Sequence, residues 1–432
     1  MLEKPVAPAT RIVRRPAASS PREASAEICV VGAGIAGISA AIEAARLGRK
    51  VLLIDGLPAL GGQAVNSIIG TFCGLFSNGL DGYQLTRGIA DDILRELGAE
   101  GALHYRRGHT TVVLYDEVAL GRWIERSVAA AGITLLLGAV LRQVRIDGRR
   151  IAALDIATRY GDVRVRAAGF VDASGDAALA WQAGQECREP GEGVVYGSQM
   201  MVLEDVDEAH YPTREAVTER LAAKAASYGL VRHDGFAFVF PGRGTALVNM
   251  NHVETPLDPI AASATGLIGK EQAERSLRFL QREFPAAFGR ARVRAFGLPG
   301  IRQTRWIVGR HQLTLDEVRA GTKFADSIAR TAWPIEQHHH AEGYVWEPFD
   351  EDHLHYVPFA SLTPPGLDNL VAAGRCIDAD SAALSSVRVM GPCIAMGAAA
   401  AHALDLAGSG SVHQIDGAAL RRRLAANVDE RP

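Results

Sequence analysis

An α/β protein of two domains, the first interrupted by the second, is predicted by three observations. A strand–glycine–helix–strand unit occupies Ile28 to Asp55. From about Cys187 to Phe359 the pattern changes to alternating strands mixed with charged helices. From Asp368 to Ala407 a glycine-punctuated, small-residue stretch returns to the style of the start. The expected division is an N-terminal arm over 1–26, a first-domain segment over 27–186, an inserted mixed α+β domain over 187–360, completion of the first domain over 361–408 and a polar tail over 409–432. At 432 residues the chain exceeds a comfortable single core, which suits that division.

The opening unit reads as a buried parallel strand, Ile28-Cys29-Val30-Val31, followed by Gly32, Gly34 and Gly37 at GxGxxG spacing. A helix-patterned run then places Ala40, Ala44 and Gly48 where it must press on a sheet, and a second apolar run, Val51 to Ile54, ends in Asp55. Gly32 permits the tight turn, Gly34 lets a pyrophosphate approach the backbone, and Gly37 lets helix and strand pack closely. The pyrophosphate then meets free N–H groups at the positive end of the helix. Asp55, about 20 residues on, is placed to accept from ribose hydroxyls. The glycines alone would be weak evidence; with strand, helix, second strand and acid they predict a dinucleotide site.

Composition narrows the partners. A net charge of -3 supplies no attraction for nucleic acid or an anionic membrane. The five cysteines, Cys29, Cys73, Cys187, Cys376 and Cys393, are scattered without CxxC or metal-ligand spacing, which suits free thiols in a reducing cytoplasm. No run approaches the ~20 apolar residues of a membrane span. Residues 1–26 carry Arg14-Arg15 with no apolar stretch behind them, so a flexible arm is expected rather than a leader.

Further along, GLPALGGQAVNS brings Gly61-Gly62 close behind the second strand, and SIIGTFCGLFSNGLDGY mixes apolar, glycine and small polar residues as a wall against a ligand or a buried loop would. Gly169-Phe170-Val171 ends in the turn Asp172-Ala173-Ser174-Gly175-Asp176, at the strand edge where doubly wound sheets hold ligands. In the insertion, strands are expected at Phe236–Phe240 and Ala246–Met250, and long charged helices around 258–284 and 314–330. Leu370–Ala373 reads as a strand, Gly374-Arg375 as a turn, and Gly391 to Leu404 as a helix opening on Gly-Pro, where proline costs nothing.

With these motifs in place the chain resembles the FAD-dependent oxidoreductases of the glutathione-reductase-like fold. It is closest in pattern to the broad FAD-dependent oxidoreductase family that is related to flavin-binding tRNA-modification proteins. GAGIAG with Asp55, GGQAVNSIIGTFCGL, VDASGDAALA, GIRQTRWIVG and AGRCIDADSAALSSVRVMGPCIAMGAAAAHA carry the resemblance over most of residues 27–407. It implies a discontinuous Rossmann-type FAD-binding domain with an inserted substrate domain, and FAD bound without a covalent link. Gly32, Gly34 and Gly37 would hold the pyrophosphate and Asp55 the AMP ribose. Gly61, Gly62 and Gln63 would lie on the flavin side. Asp172, Gly175 and Asp176 would lie near the adenine and ribose end. Gly374, Arg375 and Asp378 would reach ribityl and pyrophosphate, and Arg388 with Gly391 would approach the isoalloxazine ring. A helix N-terminus beside that ring stabilises the reduced, anionic flavin. The departures matter too. No cysteine pair follows the GG, against disulfide reduction, and no second GxGxxG opens a helix to house NAD(P)H. AGRCID stands where aromatic hydroxylases carry a GD turn.

The catalytic residues are expected in the insertion. Arg302 and Arg305 carry the fork that clamps carboxylates, although arginine strips are often surface pairs. His338 or Tyr356 is the expected base, since imidazole titrates near neutral pH. His338-His339-His340 with Glu336, His353 and His355 has no convergent ligand geometry, so no metal is expected. The expected function is a dehydrogenase or oxidase taking a hydride from a small polar substrate (an amine, amino acid or hydroxy acid) and passing electrons to oxygen, a quinone or a partner protein. The alternatives are an NAD(P)H-fed monooxygenase or reductase, and an electron-relay subunit of a complex. A homo-oligomer is left open.

Overall fold

Buried β-branched and leucine side chains make Ile28–Val31 and Val51–Asp55 neighbouring strands, and the glycine turn between them lets Ile35–Arg46 run back across the sheet as a helix. In the computed structural model, which describes residues 10–15, 20–191 and 195–429, these strands are the centre of a five-stranded parallel sheet. Its order is Leu370–Ala372, Gly169–Asp172, Ile28–Val31, Val51–Asp55, Thr134–Leu137. The C-terminal segment thus supplies an edge strand beside Gly169–Asp172, and the sheet cannot be completed until residue 372 is in place.

The helix Met390–Ala407 then lies against Ile35–Arg46. Small residues set that spacing: a Cβ on Gly397 would fall 2.1 Å from the Ala36 carbonyl oxygen, and the buried Ser39 hydroxyl donates to Ile394 O at 2.7 Å. Met390–Ala407 is long and apolar enough, by length and composition alone, to cross a membrane, but 72% of it is buried in this core.

Two further sheets flank the first. Val140–Asp147, Arg150–Thr158 and Gly161–Arg166 form an antiparallel layer, and Arg22–Ser25 joins its edge in parallel. Between 198 and 300 an antiparallel sheet, ordered Phe236–Phe240, Thr245–Asn249, Ser198–Glu204, Arg292–Gly300, is backed by the 25-residue helix Pro259–Glu283. Asp258 caps that helix through its carboxylate to Ile260 N and Ala261 N. A separate core forms there around Met201, Leu221, Val248, Phe279 and Phe288.

Several expectations need correction. Part of the supposed flexible arm is a strand, because Arg22–Ser25 finds an open edge with Gly161–Arg166; residues 1–9 and 16–19 lie outside the described ones. The helix expected over 314–330 is one turn, Leu315–Arg319, closed by a Thr314–Glu317 capping box, after which Ser327–Thr331 is a strand paired with His355–Pro358. Ile328, Ala329, Val357 and Phe359 from this stretch lie in the same core as Val30 and Ile38. The supposed polar tail forms helices Gly417–Arg423 and Ala425–Val428, which bury Leu420, Leu424 and Val428 in that core.

Replacing Gly397 with Val forces a side chain into the Ala36 backbone, so Gly397→Val is expected to cost about 3 kcal/mol or more. Urea unfolding of the variant beside the parent checks it.

Candidate cofactor and substrate site

Every strand of the parallel sheet that carries a predicted motif ends at the same edge. Gly32 adopts φ +105°, donates to Ile54 O at 2.8 Å, and has no room for a Cβ, which would lie 2.3 Å from Ala173 O. A Cβ on Gly37 would fall 1.8 Å from Gly32 O, so the helix is pressed on the turn as the spacing predicts. Gly34 is the contrast: a Cβ there would meet nothing within 4 Å, so the open side of the turn is a cradle rather than a packing contact.

Gly61 and Gly62 close over that turn. Gly61 N donates to Ala33 O at 2.9 Å, and a Cβ on Gly62 would stand 2.6 Å from Gly34 Cα. Gln63 is the second residue of the short helix Gly62–Asn66 beside it. Asp55 accepts from Ala33 N at 2.5 Å and Leu57 N at 2.7 Å, bracing the glycine loop from the next strand. On the other side Gly374, at φ +88°, leads into Arg375, whose guanidinium donates to Asp176 at 3.2 Å. Gly175 is glycine because a Cβ would lie 2.8 Å from Arg375 Nε. Gly391 packs on Gly74, where a Cβ would lie 2.2 Å from the carbonyl oxygen, and donates to Cys73 O at 3.0 Å.

The two helices aimed at this edge, Ile35–Arg46 and Met390–Ala407, have no side-chain N-cap, whereas Glu117–Ala130, Pro259–Glu283 and Ser381–Val387 are capped by Asp116, Asp258 and Asp380. First-turn N–H groups at both uncapped ends need acceptors, and a dinucleotide with anionic phosphates and an electron-rich ring edge supplies them. The chain's residues therefore fit FAD.

Beyond the 390 end lies a buried charged cluster. Arg302 donates to Tyr196 O at 2.7 Å and Ser198 Oγ at 3.0 Å, and among the described residues no carboxylate lies within ion-pair distance of it. Desolvation, then the like charges of Arg388 and Arg232, push its guanidinium well below the ordinary arginine range, with Glu336 and Asp234 opposing them from beyond ion-pair distance. Arg388 donates to Glu336 O at 3.3 Å and is depressed by burial. Arg232, 0% exposed, pairs with Asp234 at 2.6 Å and donates to Asn249 Oδ1 at 2.9 Å, and its Nη2 has no hydrogen-bond partner. His338, 1% exposed, contacts His252 Nε2 through Nδ1 at 2.9 Å and Glu336 Oε1 through Nε2 at 3.0 Å, and stacks on Tyr344.

Other predicted residues go elsewhere. Asp172 is buried and engages the chain with its carboxylate, accepting from Ser174 Oγ at 2.6 Å and from Leu179 N and Ala180 N at 2.9 Å each, in the first turn of Ala178–Gln182. Asp378, buried, pairs with Arg188 at 2.9 Å and accepts from Gly309 N at 2.8 Å, so it braces the 309 turn. Arg305 turns outward, ion-paired to Glu189 at 2.6 Å over the Trp181 ring. Tyr356 lies under Lys323 and packs against the main core, apart from the contacts of the His338 cluster. His353 and His355 pair with each other and with Ser386. Cys73 is held as a thiol, since burial raises it far above the usual range. Among the described residues no group of three His, Cys, Asp or Glu could hold a metal. Arg232, His252 and Ser198 carry no local motif, and only the sheet that joins 198, 232–249 and 302 brings them together.

The class these features define is a Rossmann-type flavoprotein. The chain belongs to the FAD dependent oxidoreductase family, whose model matches residues 27–424, and FAD is its cofactor. No curated protein matches it. Among solved structures it is similar to a geranylgeranyl bacteriochlorophyll reductase-like protein from Thermoplasma acidophilum, at 15% identity over 89% of this chain and 78% of that one, TM-score 0.47. It is also similar to a flavin-dependent brominase, at 14% over 93% and 83%, TM-score 0.46. An L-proline dehydrogenase from P. horikoshii matches at 11% over 89% and 93%, TM-score 0.43. Likenesses this remote say nothing of substrate.

Because a Cβ at Gly34 would meet nothing within 4 Å, Gly34→Val is expected to leave the stability of flavin-free protein within about 0.5 kcal/mol. It should weaken FAD at least tenfold, about 1.4 kcal/mol. Thermal melts with and without added FAD, together with a fluorescence titration, read both.

Proposed function

We propose that this flavoenzyme is a dehydrogenase or oxidase that takes a hydride from a small organic acid, a hydroxy acid or amino acid, and hands the electrons to oxygen, a quinone or a partner protein. The observation that carries the reading is Arg302: a half-buried guanidinium whose hydrogen bonds go to neutral oxygens, beside Arg388 at the helix end next to the expected flavin ring. A buried cation without a counter-ion is costly, and a carboxylate supplied by a substrate offsets that cost by bidentate pairing.

FAD supplies the two-electron acceptor. Gly32, Gly34, Gly37, Gly61 and Gly62 would bed its pyrophosphate, with Arg375 and Asp176 at the neighbouring turn. Gly391 and the uncapped end of Met390–Ala407 would face the ring and favour its reduced anion through the helix dipole. The chain's part is positional: Arg302 holds the acid group, the Tyr344, Trp333 and Trp346 rings pack edge to face beside the cluster, and an acceptor must take the proton released with the hydride. An NAD(P)H-fed reductase has less support, because 242–244 forms a hairpin turn between Phe236–Phe240 and Thr245–Asn249 and opens no helix. The five free cysteines suit a reducing cytoplasm.

The test is anaerobic bleaching of the bound flavin. Hydroxy acids and amino acids are expected to bleach it while their methyl esters do not, and rapid bleaching by NADH or NADPH would sink the proposal. Arg302→Met should raise the KM of the reactive acid by about 10²–10³, since truncating one partner of a buried charge pair costs about 2–5 kcal/mol, with FAD content unchanged.

A further inference from the structure

Four groups stand in a row beneath the arginine cluster: the Ala341 carbonyl, His252, His338 and Glu336. The contacts are Ala341 O to His252 Nδ1 at 2.9 Å, His252 Nε2 to His338 Nδ1 at 2.9 Å, and His338 Nε2 to Glu336 Oε1 at 3.0 Å. Each needs one proton between its two atoms. The row ends in acceptors, a carbonyl oxygen and a carboxylate oxygen, and two neutral imidazoles bring only two N–H groups. Three hydrogen bonds therefore need a third proton, and a row without it holds two lone pairs face to face in a buried place.

We propose that His252, His338 and Glu336 form a buried proton relay that holds one exchangeable proton and, once that proton has left, accepts the O–H or N–H proton of the substrate. This rests on the hydride-transfer reading for its second half, whereas the proton count stands without it. Burial first, and then Arg302, Arg232 and Arg388, push His338 well below the ordinary imidazole range; burial, Arg232 and Arg302 do the same to His252. Neither imidazole readily takes a full charge alone, so the third proton is held by the row as a whole, across the short contacts that link its members.

The charged and titratable groups facing the row are Arg302 from the 300–307 strip, Arg232 and Asp234 from the 232 turn, Tyr196 stacked on His252, His339 next in sequence, Tyr344 stacked on His338, and Arg388 and Cys73 beside Glu336. Glu336 is further held by the Trp333 indole N–H at 3.0 Å and, through its own backbone N–H, by Ser385 Oγ at 3.2 Å. Through Cys73 and Arg388 it adjoins the 390 end, where the ring is expected. The step balances: the substrate C–H bond breaks with its electron pair passing to flavin, the O–H or N–H bond breaks with its pair forming the C=O or C=N bond, and the freed proton goes to Glu336. His252 is a positioning residue, fixing the His338 tautomer from behind.

Glu336→Gln is the diagnostic change, because the amide N–H donates to His338 Nε2 and satisfies the row without the third proton. Two measurements on full-length, FAD-loaded protein decide the matter. The first is ¹⁵N NMR of labelled histidines with proton release into weak buffer from neutral to alkaline pH. Wild type is expected to release one proton more than Glu336→Gln, with the histidine ¹⁵N shifts moving over that range only in wild type. Thermal stability should follow. The folded row binds a proton that the unfolded chain lacks above the ordinary histidine range, so stability falls as pH rises through the row's own titration, and this alkaline slope disappears in Glu336→Gln. Equal proton release and equal slopes in the two proteins would overturn the proposal. The second is the pH profile of flavin reduction by the reactive acid: wild type should quicken as the row empties, and Glu336→Gln should be slower by about 10²-fold and lack that limb. A matching proton count with an unaltered profile would overturn the relay's part in the reaction. Failure of every acid to bleach flavin would instead strike the proposed function and leave the proton count standing.

Discussion

The seam between Ile35–Arg46 and Met390–Ala407 is the constraint on which the rest of this molecule depends. The helices touch through Gly397 and Ala36, with Ser39 reaching Ile394 O across the gap, and a methyl-sized side chain at Gly397 would drive them apart. Their contact, together with strand Leu370–Ala372, carries the chain's last segment back to the glycine turn made by its first. Two uncapped helix ends are thereby delivered to the same edge of one sheet. The dinucleotide cradle and the ring-facing end are then consequences of packing, since neither helix alone could set the distance between them.

A second layer of order comes from electrostatics. Arg302, Arg232 and Arg388 act on the same buried His338, and the acids that answer them are few: Asp234 pairs with Arg232, and Glu336 is engaged by His338 and Trp333. An interior that keeps more cations than anions is poorly arranged for stability alone, since uncompensated buried charge is expensive. The organic acid proposed as substrate would complete the balance on arrival. The same arginines depress the imidazoles of His338 and His252.

Much of the cofactor side was legible in the sequence because backbone geometry demands it. Gly32, Gly37, Gly62 and Gly175 are glycines since a Cβ would collide with backbone or with Arg375, and such demands leave a residue-level signature at fixed spacing. Asp172 and Asp378 have partners that no local pattern names, because an acid at a strand end serves a helix start or an ion pair as readily as a ribose; Leu179 N, Ala180 N and Arg188 are those partners here. Arg302 and Arg305 stand three apart in one strip, yet the first turns inward to Ser198 and the second outward to Glu189. No periodicity separates them, because the strip is irregular between short strands.

Local pattern thus dictates the strand–glycine–helix unit, the positions where only glycine fits and the cofactor class, since each follows from steric and hydrogen-bonding needs met within a few residues. Long-range packing sets the rest. The register of Arg22–Ser25 on Gly161–Arg166, the burial of Leu420 and Val428, and the row from Ala341 to Glu336 all join segments far apart in sequence. A carboxylate, an imidazole or an arginine becomes functional only through the groups it meets, and those meetings are fixed by sheets and helix seams that no short stretch of sequence encodes.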